Sequence, residues 1–183
     1  MDKRKYKYDV AVSFAEEDRN AALALSLAFE IVGVKKIFYY PDRRLDKIGE
    51  STGEALNRIF RYEARYAVAL WSTHYFSPEK KYVGIEMNAI RNRMHEDKST
   101  HFMIPVKLHE DLIIEDEELS NINYFPWNYD PKSLARDLHK LLGSEIDYDN
   151  AQVGKNYYFT GDQSFVVIGG KIVNAKQNNW NKK

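Results

Sequence analysis

Residues 66–91, YAVALWSTHYFSPEKKYVGIEMNAIR, join an apolar run to an amphipathic segment that carries one carboxylate near its apolar face. Val83, Met87, Ile90 and Met94 recur at i, i+4, i+7 and i+11, the spacing of a helical stripe that faces a core. Glu86 lies about 60° around that helix from Val83, on the flank of the stripe, and Tyr82 is one turn back on the same side. A carboxylate so placed is either solvated, as most glutamates are, or half-buried beside an aromatic. In the second case it is a fixed negative charge in a poorly screened place, suited to stabilising a cation that develops during a reaction. Spacing alone does not choose between the two.

Other chemistries are narrowed by what the chain lacks. It has no cysteine, which excludes disulfides, thiolate metal sites and a cysteine nucleophile. His74, His95, His101, His109 and His139 are scattered without metal-ligand spacing, so neither a metal nor any other resident cofactor is expected. No Walker-type or G-x-G-x-x-G motif precedes a helix, and no G-x-S-x-G elbow occurs. Asp18 most simply caps the helix that follows the first strand. Gly49 serves backbone geometry.

Alternating strands and helices must position these residues. Residues 8–15 (YDVAVSFA) read as a first strand with a polar exit at Glu16, Glu17 and Asp18. Leu23, Leu27 and Ile31 make the stripe of a first helix, closed by Gly33. Residues 36–40 (KIFYY) are a second strand, and 41–49 a charged loop. Ser51 and Glu54 form a capping-box pattern for a second helix through Leu56, Ile59 and Phe60. Residues 66–71 are a third, central strand, and Ser77-Pro78 has the chemistry that starts a third helix. Residues 102–108 (FMIPVKL) are a fourth strand whose Pro105 requires a place where one ladder bond is dispensable. The acidic stretch 110–118 is expected to be surface without an element of its own. Residues 124–127 make a short, edge-like fifth strand. Asp130-Pro131, then Leu134, Leu138 and Leu141, then Gly143, delimit a last helix. Repeated β-α units with apolar strands imply an α/β fold, a parallel sheet covered on both faces, with ligands in the crevice beyond the carboxyl ends of its strands.

The 183 residues suit one domain with some extra chain, and 27 basic residues balance 27 acidic ones. No net field favours nucleic acid or an anionic membrane. MDKRKYKYD is followed by no apolar signal region, and no run approaches the ~18 apolar residues of a membrane span, so a cytoplasmic protein is expected. After Gly143 the composition turns to Asn, Gly, Tyr and β-branched residues. NYYFTGDQSFVVIGGKIVNA reads as short strands joined by turns at Gly161-Asp162 and Gly169-Gly170, a small hairpin-like appendage, and QNNWNKK is polar.

Taken together, YDVAVSFAEED at the first strand, the Asp-rich loop ending in IGES, WSTHYFSPEKKYVGIE and FMIPVKL with its acidic sequel resemble a bacterial TIR domain over residues 6–143, leaving 144–183 as an extension. The resemblance implies a flavodoxin-like fold with five parallel strands. It makes the loop from Asp42 to Gly49 the so-called BB loop, a self-association element, and aligns Glu86 with the glutamate that cleaves NAD in enzymatic members. The family pattern S-x-x-x-x-W-x-x-x-E is met by Ser77, Tyr82 and Glu86, with Tyr for the usual Trp and with Gly84 where Cys or a basic residue is frequent.

Expelling neutral nicotinamide from NAD+ builds oxocarbenium character on the ribose, so one fixed carboxylate is enough and the leaving group needs no protonation. By the same resemblance, Phe14 and Ala15 at the end of the first strand, with Trp71, Tyr75, Ser77 and Tyr82, are candidates to bind the substrate. The aromatics would sandwich its rings, although Phe14 and Trp71 equally suit core packing. Arg43 and Arg44 would hold the pyrophosphate, or else be solvated or lie in a subunit contact. The expected function is therefore an NAD+ glycohydrolase or ADP-ribosyl cyclase of antiphage defence or signalling, with an activator or downstream effector protein as a further partner. The alternatives are a non-catalytic TIR scaffold and a nucleoside deoxyribosyltransferase-like enzyme. A response-regulator receiver is disfavoured because residues 69–72 offer no aspartate at the strand end.

Overall fold

β1 (Tyr8–Ser13), β2 (Ile37–Phe38), β3 (Ala64–Trp71), β4 (Met103–Lys107) and β5 (Phe125–Pro126) form one parallel sheet in the order β2-β1-β3-β4-β5. The computed structural model describes residues 6–40, 49–128 and 130–141, with the backbone of further strands at 158–159, 165–168 and 171–174. This is the flavodoxin-like order. Helices α1 (Arg19–Ile31), α2 (Thr52–Arg58), α3 (Lys81–Asp97), α4 (Glu117–Ser120) and α5 (Pro131–Leu141) alternate with the strands.

Period-two alternation divides the strand residues between two cores. Val10, Val12, Val68, Leu70, Ile104 and Val106 face α1 and α5. Ala11, Ala67, Ala69, Trp71 and Met103 face α2 and α3. The small residues on the second face let α3 approach the sheet closely, and this is the helix that carries Glu86. Full burial of each large aliphatic chain contributes about 1.5–3 kcal/mol, so the two layers dominate the stability of the fold.

Several local expectations are met for the physical reasons that suggested them. Gly33 has φ +94 and follows α1 in a Schellman closure, with Val34 N–H donating to Phe29 O at 2.9 Å and Gly33 N–H to Glu30 O at 3.1 Å. Gly49 is likewise left-handed, at φ +87. Ser51 Oγ accepts from Glu54 N–H at 3.2 Å and donates to Glu54 Oε2 at 2.8 Å, a variant of the capping box. Leu56, Ile59 and Phe60 are buried, the latter two in a π-helical turn that leads into β3. Pro105 pairs with β3, and the ladder to β5 begins only at Val106, one residue past the missing donor.

Other expectations are corrected. The core face of α1 is Ala21, Ala22, Ala24, Leu25, Ala28 and Phe29, while Leu23, Leu27 and Ile31 are only half-buried. From Ala21 to Phe29 every position of that helix but Ser26 is apolar, so large residues alone misplace its stripe, whereas the alanine face permits close packing against the sheet and α5. α3 starts at Lys81 instead of Ser77-Pro78. Ser77 to Lys80 is a turn, closed by Lys80 N–H to Ser77 O at 3.1 Å, with Pro78 at its second position. The acidic stretch does hold an element, because Asp116 Oδ1 caps α4 through Glu118 and Leu119 N–H, both at 3.1 Å, and Leu119 is fully buried beneath it. Arg91 of α3 reaches both Asp116 and Glu118.

Beyond the main sheet, β6 (Tyr158–Phe159), β7 (Phe165–Ile168) and β8 (Lys171–Asn174) form an antiparallel sheet in that order, with Val166 opposite Val173 and Val167 opposite Ile172. The glycine turns expected there lie outside the described residues. Among the described residues, no helix is long and apolar enough to cross a membrane.

Candidate active site

In this strand order the connections leave β1 and β3 toward opposite sides, which opens a crevice at their carboxyl ends. Ser13 is the last residue of β1, in register with Ala69, and Ser72 directly follows β3. Two polar side chains therefore stand at adjacent strand ends, where the apolar runs stop.

Glu86 reaches this crevice from α3. Its exposure is only 7%, so of the two readings open to it the solvated one does not hold. Ser13 Oγ donates to Glu86 Oε2 at 2.6 Å, and the Tyr75 hydroxyl lies 2.9 Å from the same Ser13 oxygen. Burial drives the Tyr75 phenol pKa well above its ordinary value, and the Glu86 charge adds to this while the Ser13 hydrogen bond opposes it. The phenol is thus held protonated as a donor. Tyr75 is set in place through its backbone, since its N–H donates to Ser72 Oγ at 3.0 Å and Ser72 Oγ donates in turn to Asp18 Oδ2 at 2.5 Å.

Asp18 corrects another expectation. It occupies the position before α1, but its side chain makes no cap bond and turns to Ser72. Burial raises its pKa, against the lowering effect of the Ser72 hydrogen bond. Glu17 beside it pairs with Lys80, which lowers the Glu17 pKa and tethers the exit of β1 to the start of α3.

The other candidates divide by position. Ala15 and Trp71 are fully buried in the core on the α3 side, where the Trp71 ring packs on Phe76 at 5.8 Å. The Trp71 indole N–H has no hydrogen-bond partner. Phe14 turns to the opposite face and stacks on Tyr39 with ring centroids 5.5 Å apart. Tyr82 is one turn before Glu86 and 53% exposed, and Ser77 is half-buried in the turn before α3. Arg43 and Arg44 lie outside the described residues. Ser13, Ser72 and Tyr39 are neighbours that spacing does not single out. The available signal for Ser13 was its place in YDVAVSFA, a hydroxyl on an otherwise apolar central strand that must find a partner inside the fold.

Arg93 is the other buried charge of α3, seven residues and about 10 Å along the helix from Glu86. It donates to Ala64 O at 2.6 Å and Tyr6 Oη at 3.2 Å and lies over the Phe102 ring at 3.9 Å, tying α3 to the opposite end of the sheet. Its donors are spent on structure. Among the described residues no cluster of three or more His, Asp and Glu side chains could hold a metal.

The family model for the TIR domain matches residues 10–142. The chain belongs to the TIR domain family. Over 107 residues it is 30% identical to the 3′ cyclic ADP-D-ribose synthase AaTIR of Aquimarina amphilecti, a match that spans 58% of this chain and 32% of that relative. The chain thus corresponds to about a third of the length of the curated relative it matches. Among solved structures, the TIR domain of the Toll-related receptor TRR-2 from Hydra magnipapillata superposes with a TM-score of 0.56 at 20% identity, covering 75% of this chain and 99% of that one. That likeness concerns the fold. In this TIR domain Glu86 is a buried carboxylate at the point where the sheet order reverses.

Proposed function

We propose that this TIR domain cleaves the nicotinamide–ribose bond of NAD+, with Glu86 as the catalytic carboxylate. The observation that carries this reading is a glutamate of 7% exposure at the β1/β3 switch point, with the Ser13 hydroxyl donating to its carboxylate. The partial identity to a 3′ cyclic ADP-D-ribose synthase supports the same substrate.

In the reaction, nicotinamide leaves as a neutral base with the electron pair of the C–N bond, and the ribose ring acquires oxocarbenium character. A buried carboxylate stabilises that charge more than a solvated one would, because little water screens it. Capture by water, with loss of a proton, gives ADP-ribose. Capture by a nucleophile of the same molecule gives a cyclic isomer. Tyr82, exposed one turn before Glu86, is the aromatic placed to meet a ring of the substrate, and Arg43 and Arg44 are the guanidinium groups suited to its pyrophosphate. The wider role we propose is bacterial antiphage defence or signalling.

Incubation of the purified chain with NAD+, followed by chromatography of the products, tests the reaction and identifies the product. Glu86→Gln keeps size and shape but removes the charge, and it should lower turnover by about 100-fold or more while the protein stays folded. Undiminished nicotinamide release from folded Glu86→Gln protein would remove Glu86 from the mechanism. No release by the wild type at any concentration would favour a scaffold, and release of bases from nucleosides but not from NAD+ would favour a deoxyribosyltransferase-like activity.

A further inference from the structure

We propose that Ser13 and Tyr75 are positioning residues for the Glu86 carboxylate, a two-hydroxyl relay that fixes its orientation and favours its charged form, an inference that rests on the NAD-cleaving reading above. The direction of the relay follows from proton counting. A serine hydroxyl has one proton and two acceptor sites. At 2.6 Å the Ser13–Glu86 contact has the length of a charge-assisted bond, so the serine proton points at Oε2. The remaining contact, 2.9 Å to Tyr75, must then be donated by the phenol. The order is Tyr75 to Ser13 to Glu86, and no other arrangement satisfies both distances with an ionised glutamate.

Both ends of the relay are anchored on rigid elements. Ser13 closes β1 and is paired with Ala69 in the centre of the sheet. Tyr75 is pinned through its N–H by Ser72, itself bonded to Asp18. Around Glu86, α3 offers Val83, Met87 and Ile90, all buried. The charge of Arg91, farther along α3, acts on the Tyr75 phenol, which faces the relay from the segment after β3. A hydrogen bond donated to a carboxylate favours its charged form. A charge meant for a developing cation must also be in place beforehand, because misplacement by an ångström forfeits much of its effect.

The test uses Ser13→Ala, Ser13→Thr, Tyr75→Phe and Glu86→Gln in the full chain. NAD+ kinetics are read together with a carboxyl carbon-13 titration of glutamate-labelled protein, the Glu86 signal being identified by its loss in Glu86→Gln. Ser13→Ala should lower kcat by about tenfold or more with KM within roughly threefold, and should move the Glu86 titration upward by about one pH unit. Ser13→Thr should restore both, and Tyr75→Phe should move both in the same direction by less. An unchanged Glu86 titration in Ser13→Ala, or a shifted titration with unchanged kcat, would overturn the relay. Persistence of NAD+ cleavage in Glu86→Gln would instead overturn the functional reading, and the titration would still decide whether the relay exists.

Discussion

Asp18 is a buried carboxylate that receives its hydrogen bond from the Ser72 hydroxyl, and burial raises its pKa above that of an unfolded aspartate. The protonated form is therefore favoured by folding. The contribution of this group to stability is fully present below the unfolded pKa and is lost as pH rises through the folded pKa. Asp18→Asn retains a carbonyl acceptor for Ser72 without the charge, so its stability relative to wild type should be greatest near neutral pH and should shrink toward pH 4. Urea midpoints of the two proteins across that range check this, and a constant difference would show that the burial of Asp18 is not felt as a titration. Single residues also mark the limit of sequence reading. Glu86 stood out because it flanks an apolar stripe, a local pattern. The Ser13 bonds to Tyr75 and Glu86 span 62 and 73 residues, and no local pattern encodes them.

Elements were legible where their signals are local and steric. The glycine that closes α1, the box that opens α2 and the stripe of α3 all follow from backbone geometry and helical period. The start of α3 was not legible, because Ser77-Pro78 is equally good chemistry for a turn, and the Ser72 anchor, set by tertiary contact with Asp18, decides between them. The end of α3 shows a further element-scale feature. Lys98 adopts φ +48 at the C-cap, with its N–H bonded to Met94 O. A left-handed conformation costs a side-chain-bearing residue about 1–2 kcal/mol, whereas glycine pays about 0.5–1 kcal/mol in unfolded-state entropy. Lys98→Gly should therefore stabilise the domain by about 0.5–1 kcal/mol, and Lys98→Val should destabilise it, in denaturant titrations. Equal midpoints for all three proteins would mean that the helix end relaxes freely.

For the whole molecule, the sheet order brings Ser13 of the first β-α unit to one crevice with Ser72, Tyr75 and Glu86 of the β3-α3 unit. The fold class and the two-faced parallel sheet were visible in the repetition of apolar strands and amphipathic helices. Their closeness to one another required the fold itself. A carboxylate of 7% exposure also has an implication for the proposed reaction, in which NAD+ would have to displace a neighbour to reach it. We expect that displacement to come with self-association through the loop from Asp42 to Gly49. Charge reversal at Arg43 and Arg44 should then abolish self-association in light scattering while leaving the melting curve intact. Activity per molecule that does not vary with protein concentration, with or without an activator, would dismiss assembly as the switch.

The C-terminal strands pose the last question at this scale. β6, β7 and β8 have two, four and four residues, and a small sheet of that size is marginal alone in water. Phe165, Val167 and Ile172 are more apolar than a free linker needs, and Val167 and Ile172 are opposite each other in register. Such a unit gains its stability either by packing on the TIR domain or by offering an edge strand to a partner. We favour packing that regulates assembly. Removal of residues 150–183 should then leave the parallel sheet folded, because the strands of that sheet and the described residues of both its cores are drawn from earlier positions. The same truncation should change the size distribution in solution or the NAD+ turnover under activating conditions. Light scattering, thermal melting and product chromatography on the truncated and full chains decide the matter. Identical behaviour in all three would make the segment a passive extension.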